Sequence, residues 1–483
     1  MKIVHLNAFD RAGGAERVAQ DLIELQTAAG HDSTMLVGIK RDPCSHAIAF
    51  DPDADESRRA ELLANGWPDY EFRGSHQLIN HPAILAADVV HAHNLYGGYF
   101  HPFSLIALSN FRPLVWSIHD MQPLTGYCPH ALDCTRWEIG CGHCPDLTRP
   151  GPQMLVDNTA ALWRDKELIS RNSRLWLAGA SHWIIGLLAR SLWRQHPLQL
   201  VPNGIDTDTF RPIDRRAARQ KLGLSDDALI VGSLARGGVL AHPWKGGPHA
   251  RAVVEELQRR YPNFVYLNLG AREPAPEPWI RALAPESPAE LRDALCALDF
   301  FLHPAIADTA PLSVLEALAC GLPVVAFRVG GIPDFVTENE GILVEPNETS
   351  ALVAAALQLA ADPSRRGAMS ASARERAVKL FDRKKMAAGY EELYRAAIAG
   401  HPAQSSQETF AREEIARAQE EAAALAAKVE QFRERRAHDD EQIDKFLRHP
   451  WGRLGVRLGF IRGGVKRWLR LKAREQARRE SDQ

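Results

Sequence analysis

The sequence predicts an α/β protein with two parallel-sheet domains in tandem and a helical, basic tail. Three observations predict it. Short apolar runs alternate with stretches of helical periodicity, first over residues 1–200 and again over 201–380. At 483 residues the chain is long enough for two to three folding units of about 150 residues each. The composition, 45% hydrophobic and 24% charged, excludes a mainly disordered, collagen-like or integral membrane chain. No stretch of about 20 uncharged apolar residues occurs, so no spanning helix is expected.

The first domain opens with the run Lys2–Ala8, a helical pattern over Ala15–Ala29 and a β-rich run, Ser33–Ile39. Met1–Leu6 leads straight into this strand pattern without the apolar core of a signal peptide, so the body is expected to be cytoplasmic. Asp88–Ala92 and Leu114–Ile118 read as buried strands. A loop-rich insertion, 122–152, holds most of the cysteines.

The second domain starts after Val201-Pro202-Asn203-Gly204-Ile205-Asp206, with strands expected at Ala228–Leu234, Val265–Leu269, Phe300–His303 and Val324–Phe327. Ser287-Pro288-Ala289-Glu290 is a capping box with Pro at the first helical position. Gly321-Leu322-Pro323 ends the helix that carries Glu316. Helical segments follow over about 348–399. Two Rossmann-like domains with ligand chemistry in the cleft between them is the assembly these patterns favour.

Beyond Gly400-His401-Pro402 the pattern changes. Within 405–447, Ile415, Ala418, Ala422, Leu425, Val429 and Phe432 keep a 3-4 heptad spacing, either a coiled coil that would make a homodimer or one solvated helix on its own domain. In 448–483, Trp451, Leu454, Leu458, Ile461, Val465 and Trp468 hold helical spacing among arginines, which suits a helix lying in a lipid headgroup layer. Eleven of the 58 basic residues but only one of the 60 acidic ones fall between Phe446 and Arg479, so the remainder carries 47 against 59. An acidic body with a basic tail points to an anionic membrane surface; nucleic acid is the weaker partner, since no recognition fold is visible.

Candidate chemistry gathers at strand ends. Asp308 and Glu316 stand eight positions apart, either side of a helix start near Pro311. Backbone N–H groups of Leu312, Ser313 and Val314 fall in that first turn, where a phosphate is welcome. One solvated acid and one acid favouring the helix dipole would give the same pattern. Gly13-Gly14 opens a helix after the first strand, and the absence of G-x-G-x-x-G argues against a nicotinamide cofactor. His119-Asp120 ends a strand where open sheets bind ligands. His91-Ala92-His93-Asn94 also ends a strand, and His93 with Asn94, at its carboxyl end, are candidates to line the cleft. Cys128, Cys134, Cys141 and Cys144 cluster with His130 and His143 in the insertion. A reducing cytosol disfavours disulfides, and four thiolates would make a closed, structural zinc site without a catalytic role. Cys44, Cys296 and Cys320 read as ordinary buried residues.

The stretch Asp308–Ala326 resembles the E-x7-E region of the retaining GT-B glycosyltransferases (glycosyltransferase family 4, glycosyl transferases group 1, bacterial polysaccharide type). The likeness recurs at Val201–Pro212, Lys245-Gly246-Gly247, Val329–Asp334 and Gly13-Gly14-Ala15-Glu16, in order over residues 1–400. The resemblance implies a GT-B fold with an N-terminal acceptor domain, a C-terminal donor domain and a last helix, 381–400, returning to the N-terminal domain. It implies a nucleoside-diphosphate sugar donor, a carbohydrate or lipid-linked glycan acceptor, and transfer with retention and no cofactor for catalysis. Glu316 would bind the ribose hydroxyls, Asp308 the transferred sugar, Lys245 the diphosphate and His119 the sugar near the reacting carbon, with His93 and Asn94 the candidates to receive the acceptor. Asp308 stands where the family usually has Glu. The Arg usual five or six positions before the Lys is missing, since Val239 and Leu240 stand there, and Arg236 is the substitute. A non-catalytic nucleotide-sugar-binding scaffold of a membrane-associated assembly is the alternative.

Overall fold

The computed structural model describes residues 1–402 apart from 44, 51–53 and 149–153; the heptad segment 405–447, the basic tail 448–483 and Cys44 lie outside the described residues. Seven parallel strands form the first sheet: β1 (Lys2–Phe9), β2 (Asp32–Ile39), β3 (Ile48–Ala49), β4 (Val89–Ala92), β5 (Leu114–Ile118), β6 (Trp176–Gly179) and β7 (Leu198–Leu200). Their order is β3-β2-β1-β4-β5-β6-β7. Six more, β8 (Leu229–Leu234), β9 (Phe264–Leu269), β10 (Ile280–Leu283), β11 (Phe300–His303), β12 (Val324–Phe327) and β13 (Gly341–Val344), pair in parallel as β10-β9-β8-β11-β12-β13.

Both orders turn back on themselves beside the first strand, between β1 and β4 and between β8 and β11. Such switch points splay the following loops apart and open a crevice at the carboxyl ends. Central strands are apolar throughout because helices cover both faces: every residue of β5, β11 and β12 is buried. The expected two-domain α/β fold is therefore present. Of the strands that sequence patterning did not mark, β3, β7, β10 and β13 are the edges of their sheets and are exposed or only partly buried, and β6 stands next to an edge.

Local signals set the helix ends near the cleft. Ser287 Oγ accepts the Glu290 N–H at 3.2 Å, but the Glu290 carboxylate takes the N–H of Glu286, so the expected capping box is only half made. The helix Leu312–Ala319 stops at Gly321, whose φ of +72° is easy only for glycine, with the Leu322 N–H donated back to the Ala317 carbonyl at 2.9 Å.

The helix Arg383–Gly400 packs Met386, Tyr390, Leu393, Tyr394 and Ala397 into one cluster with Ile3, Val18, Val89 and Val115 of the first sheet's core. The chain thus crosses back after completing the second sheet. Arg383 clamps this crossing through Asp21 at 3.2 Å and Glu24 at 2.9 Å. Other ties are polar and short: Ser181 Oγ donates to the Thr309 carbonyl and Asn203 Nδ2 to the Ala310 carbonyl.

Candidate active site

A polar cleft opens between the carboxyl ends of the two sheets, lined from both sides. The second domain supplies Arg236, Lys245, Asp308, Leu312, Ser313 and Glu316; the first supplies Gly13, Gly14, Arg17, Asn94, His119 and His130. One wall of the pattern read from sequence thus meets the other in space.

Two glycines shape the second wall. Gly246, at φ +78°, precedes the helix Gly247–Arg260, and a Cβ there would lie 1.8 Å from the Pro304 carbonyl oxygen. The chain passes so close to the loop after β11 that Lys245 is held beside it. Gly330, at φ +52°, leaves no room for a Cβ against the Asp308 carbonyl, 1.6 Å away, and Gly331 donates its N–H to the same oxygen at 3.3 Å. The Val329–Asp334 motif is thereby the backing of Asp308.

Lys245 Nζ meets Asp308 Oδ2 at 2.6 Å. Burial alone would raise the Asp308 carboxyl, but the Lys245 ammonium and neighbouring histidines outweigh it and hold it below the usual range. His303 Nε2 lies 3.6 Å from the same carboxylate, buried and without a hydrogen-bond partner. Glu316, only 2% exposed, receives Arg17 Nη1 at 2.5 Å from the opposite domain. Burial pushes its carboxyl up to about 7 even though Arg17 pulls the other way. Arg17 also lies over the Phe210 ring, 5.2 Å from its centre.

The remaining candidates divide. Leu312 and Ser313 line the cleft, but Val314 does not: it is fully buried and gives its N–H to the Pro311 carbonyl at 3.2 Å. Gly13 lines the cleft, yet its N–H goes to Glu16 Oε2 at 2.7 Å, so the helix's own acid fills part of the expected phosphate seat. Arg236 lies exposed on the cleft wall. Asn94 lines the cleft. His93 does not: it is 1% exposed and bonded on both ring nitrogens, to His5 at 3.0 Å and to His119 at 3.1 Å. His91 is likewise occupied by Tyr394 and Ser117, so neither histidine of the pair reaches the acceptor side. His119 lines the cleft as a neutral ring, its pKa lowered to about 4 by burial.

Arg17 and His130 are among the cleft residues that escaped the sequence. Arg17 carried one signal, a cation in a helix's first turn against the macrodipole, which calls for an acid outside the helix. His130, grouped with the cysteines by sequence proximity, turns instead toward Asp120 and Asp308 in the cleft.

Cys128, Cys134, Cys141 and Cys144 line one small cavity within the insertion. Gly126 donates its N–H to Cys141 Sγ at 3.1 Å, and Cys144 Sγ donates to the Asp146 carbonyl. Burial pushes the Cys141 thiol up to about 11. Among the described residues, only His5, His91 and His93 bring three ligand atoms within 4.8 Å of one another. All six of those ring nitrogens already have hydrogen-bond partners. No helix among the described residues is long and apolar enough to cross a membrane.

Two Rossmann-like sheets whose carboxyl ends face one polar cleft define a protein of GT-B architecture. Residues 12–209 match the Glycosyltransferase Family 4 description and residues 243–362 match Glycosyl transferases group 1. The chain belongs to the GT-B glycosyltransferases. It is similar to D-inositol 3-phosphate glycosyltransferase of Stackebrandtia nassauensis, 32% identical over 208 residues that cover 39% of this chain and 47% of that one. The matched region thus spans about half the length of such curated relatives. Sucrose-phosphate synthase from Thermosynechococcus elongatus shares the fold with a TM-score of 0.61 at 19% identity, over 83% of this chain and all of that one. Anabaena HepE in complex with UDP-glucose does so with a TM-score of 0.58 at 16% identity, over 82% of this chain and all of that one.

The Glu316 carboxyl gives a pH prediction. Its folded pKa of about 7 lies above the ordinary value of 4.5. The folded state therefore holds a proton that the unfolded state has lost, and the resulting penalty is absent below pH 4.5 and complete above pH 7. Glu316→Gln, which cannot ionise, is expected to be more stable than the parent at pH 8 by on the order of 3 kcal/mol. Thermal unfolding should show that gap closing by pH 5.

Proposed function

We propose that this protein transfers a sugar from a nucleoside-diphosphate sugar to a carbohydrate or lipid-linked glycan in surface polysaccharide synthesis, with retention of anomeric configuration. The observation that carries it is the meeting of Lys245, Asp308 and Glu316 on one wall with His119, Asn94 and Arg17 on the other. HepE, of the same fold, is described in complex with UDP-glucose, which supports a donor of this class.

In this reading Lys245 leaves Asp308 for the donor diphosphate, aided by Arg236 and the N–H groups of Leu312 and Ser313. A cation aimed at charge that grows on the leaving group is the electrostatic contribution such transfer most needs. Freed of Lys245, Asp308 accepts hydroxyls of the transferred sugar. Glu316 exchanges Arg17 for the ribose hydroxyls. The acceptor hydroxyl enters on the face that the diphosphate leaves, a leaving phosphate oxygen takes its proton, and the protein supplies position rather than a nucleophile or a catalytic metal.

A binding screen against UDP-, GDP-, ADP- and TDP-sugars, followed by anomeric analysis of the product by NMR, tests this. One donor is expected to bind and to give a product of unchanged configuration. Glu316→Ala should remove transfer by at least about a hundredfold while the fold persists; an intact protein that binds a donor yet transfers nothing favours the scaffold reading.

The four cysteines, in the same reading, take a structural zinc that holds the otherwise coreless insertion. Closing a tetrahedron requires their sulfurs to draw closer than they stand. Support comes from the Gly126 N–H at Cys141 and from buried Lys166, whose charge faces Cys141 and Cys128. Elemental analysis of freshly purified protein should give one zinc per chain, lost in Cys141→Ser/Cys144→Ser. The basic tail, 448–483, docks the enzyme on the inner face of an anionic membrane. Binding to anionic vesicles should weaken with salt and vanish on truncation at Gly400.

A further inference from the structure

Behind His119 lies a chain of side chains that the proposed reaction does not use. The helix Gly14–Ala28 carries Gln26 into the core, where its Nε2 donates to the Tyr394 hydroxyl at 3.1 Å. The amide oxygen therefore faces the other way, toward Ser33 Oγ at 2.7 Å and His5 Nε2 at 2.9 Å. An amide oxygen only accepts, so the proton of His5 sits on Nε2.

The rest follows from one rule: a neutral imidazole has one N–H and one lone pair. Burial lowers the pKa of His5 and His119 to about 4 and that of His93 well below its ordinary value, so all three are neutral at pH 7. With its proton on Nε2, His5 offers an Nδ1 lone pair to His93 Nε2, 3.0 Å away, which must donate. His93 in turn offers Nδ1 to His119 Nε2 at 3.1 Å, which must donate as well. The ring planes lie within 17° and 15° of each other, with centres 5.3 and 5.4 Å apart. Such separations are what two ring radii and one hydrogen bond in line would give, so the rings meet edge to edge rather than stacked face to face. His91 stands beside this chain, not in it, since its nitrogens go to Tyr394 and Ser117.

We infer that Gln26, through His5 and His93, fixes the tautomer of His119 so that it offers a bare Nδ1 lone pair to the cleft and takes a hydroxyl hydrogen of the bound sugar. Gln26, His5 and His93 are positioning residues; only His119 touches substrate. The inference deepens the proposed glycosyl transfer and rests on it for the identity of the ligand, but not for the tautomer. A sugar bearing a hydroxyl at this point is favoured over one bearing fluorine or a carboxylate, which would set lone pair against lone pair.

The test is long-range nitrogen-15 NMR of the full chain labelled at histidine, at pH 8, with His119 assigned by loss of its signals in His119→Gln. The expected spectrum has His5, His93 and His119 protonated on Nε2 and bare on Nδ1. Gln26→Glu, an acceptor on both oxygens, should preserve this pattern, whereas Gln26→Leu should turn His119 into a mixture of tautomers. A proton on His119 Nδ1 in the parent protein, or a pattern unmoved by Gln26→Leu, would overturn the inference. The parent spectrum decides even if Gln26→Leu fails to fold. With the donor found by the nucleotide-sugar screen, Gln26→Leu should raise the donor KM by about threefold to tenfold, and Gln26→Glu should restore it. Failure of all donors to react would count against the proposed transfer and leave the spectrum to judge the tautomer.

Discussion

The contact on which the cleft depends is Arg17 against Glu316. A carboxylate 2% exposed is costly to ionise, and its partner comes not from its own domain but from the first helix of the other. Because that partner has to cross the cleft, the charge state of Glu316 and the approach of the two sheets are one problem. The pairing is strong enough to hold Arg17 near the carboxylate yet too weak to bring Glu316 back to an ordinary pKa. A site left in that condition is poised to exchange one partner for another, since a ligand that hydrogen-bonds the carboxylate and frees Arg17 offsets the same burial.

Lys245 and Asp308 solve the related problem differently. Both belong to the second domain, and two glycine-dependent approaches, Gly246 against Pro304 and Gly330 against Asp308, bring their loops together. Here attraction wins over burial, and the aspartate stays acidic. The first domain answers with neutral groups: its buried histidines lose their charge to desolvation and act through hydrogen-bond direction alone. The first domain's wall thus sets uncharged donors and acceptors beside the charge of Arg17, while the second domain's wall works by charge.

How much could be read in advance varied with how completely an element is buried. The interior strands β1, β5, β11 and β12 were legible because burial on both faces writes a continuous run. The edge strands β3, β7, β10 and β13, exposed or only partly buried, wrote no such run. Among site residues, Lys245, Asp308, Glu316, His119 and Asn94 sit beside strand ends or helix starts, and each of these lines the cleft. Val314 and His93 were misplaced because their direction depends on a neighbour: a Pro311 carbonyl that takes the Val314 N–H, and two histidines that bracket His93. Adjacency in sequence set His130 among cysteines, while the loop carries it to the cleft.

By itself the sequence determined the α/β class, the two-domain division and the strand-end positions of the charged residues, since periodicity, caps and glycine turns are local and survive without knowledge of the rest. Only the tertiary structure decided which charges meet. Arg17 lies 299 positions from Glu316, and Gln26 meets Tyr394 across 368. Such pairings are set by the order of strands in each sheet and by the final helix folding back, and the energy of a buried charge or a tautomer depends on the neighbours those crossings deliver.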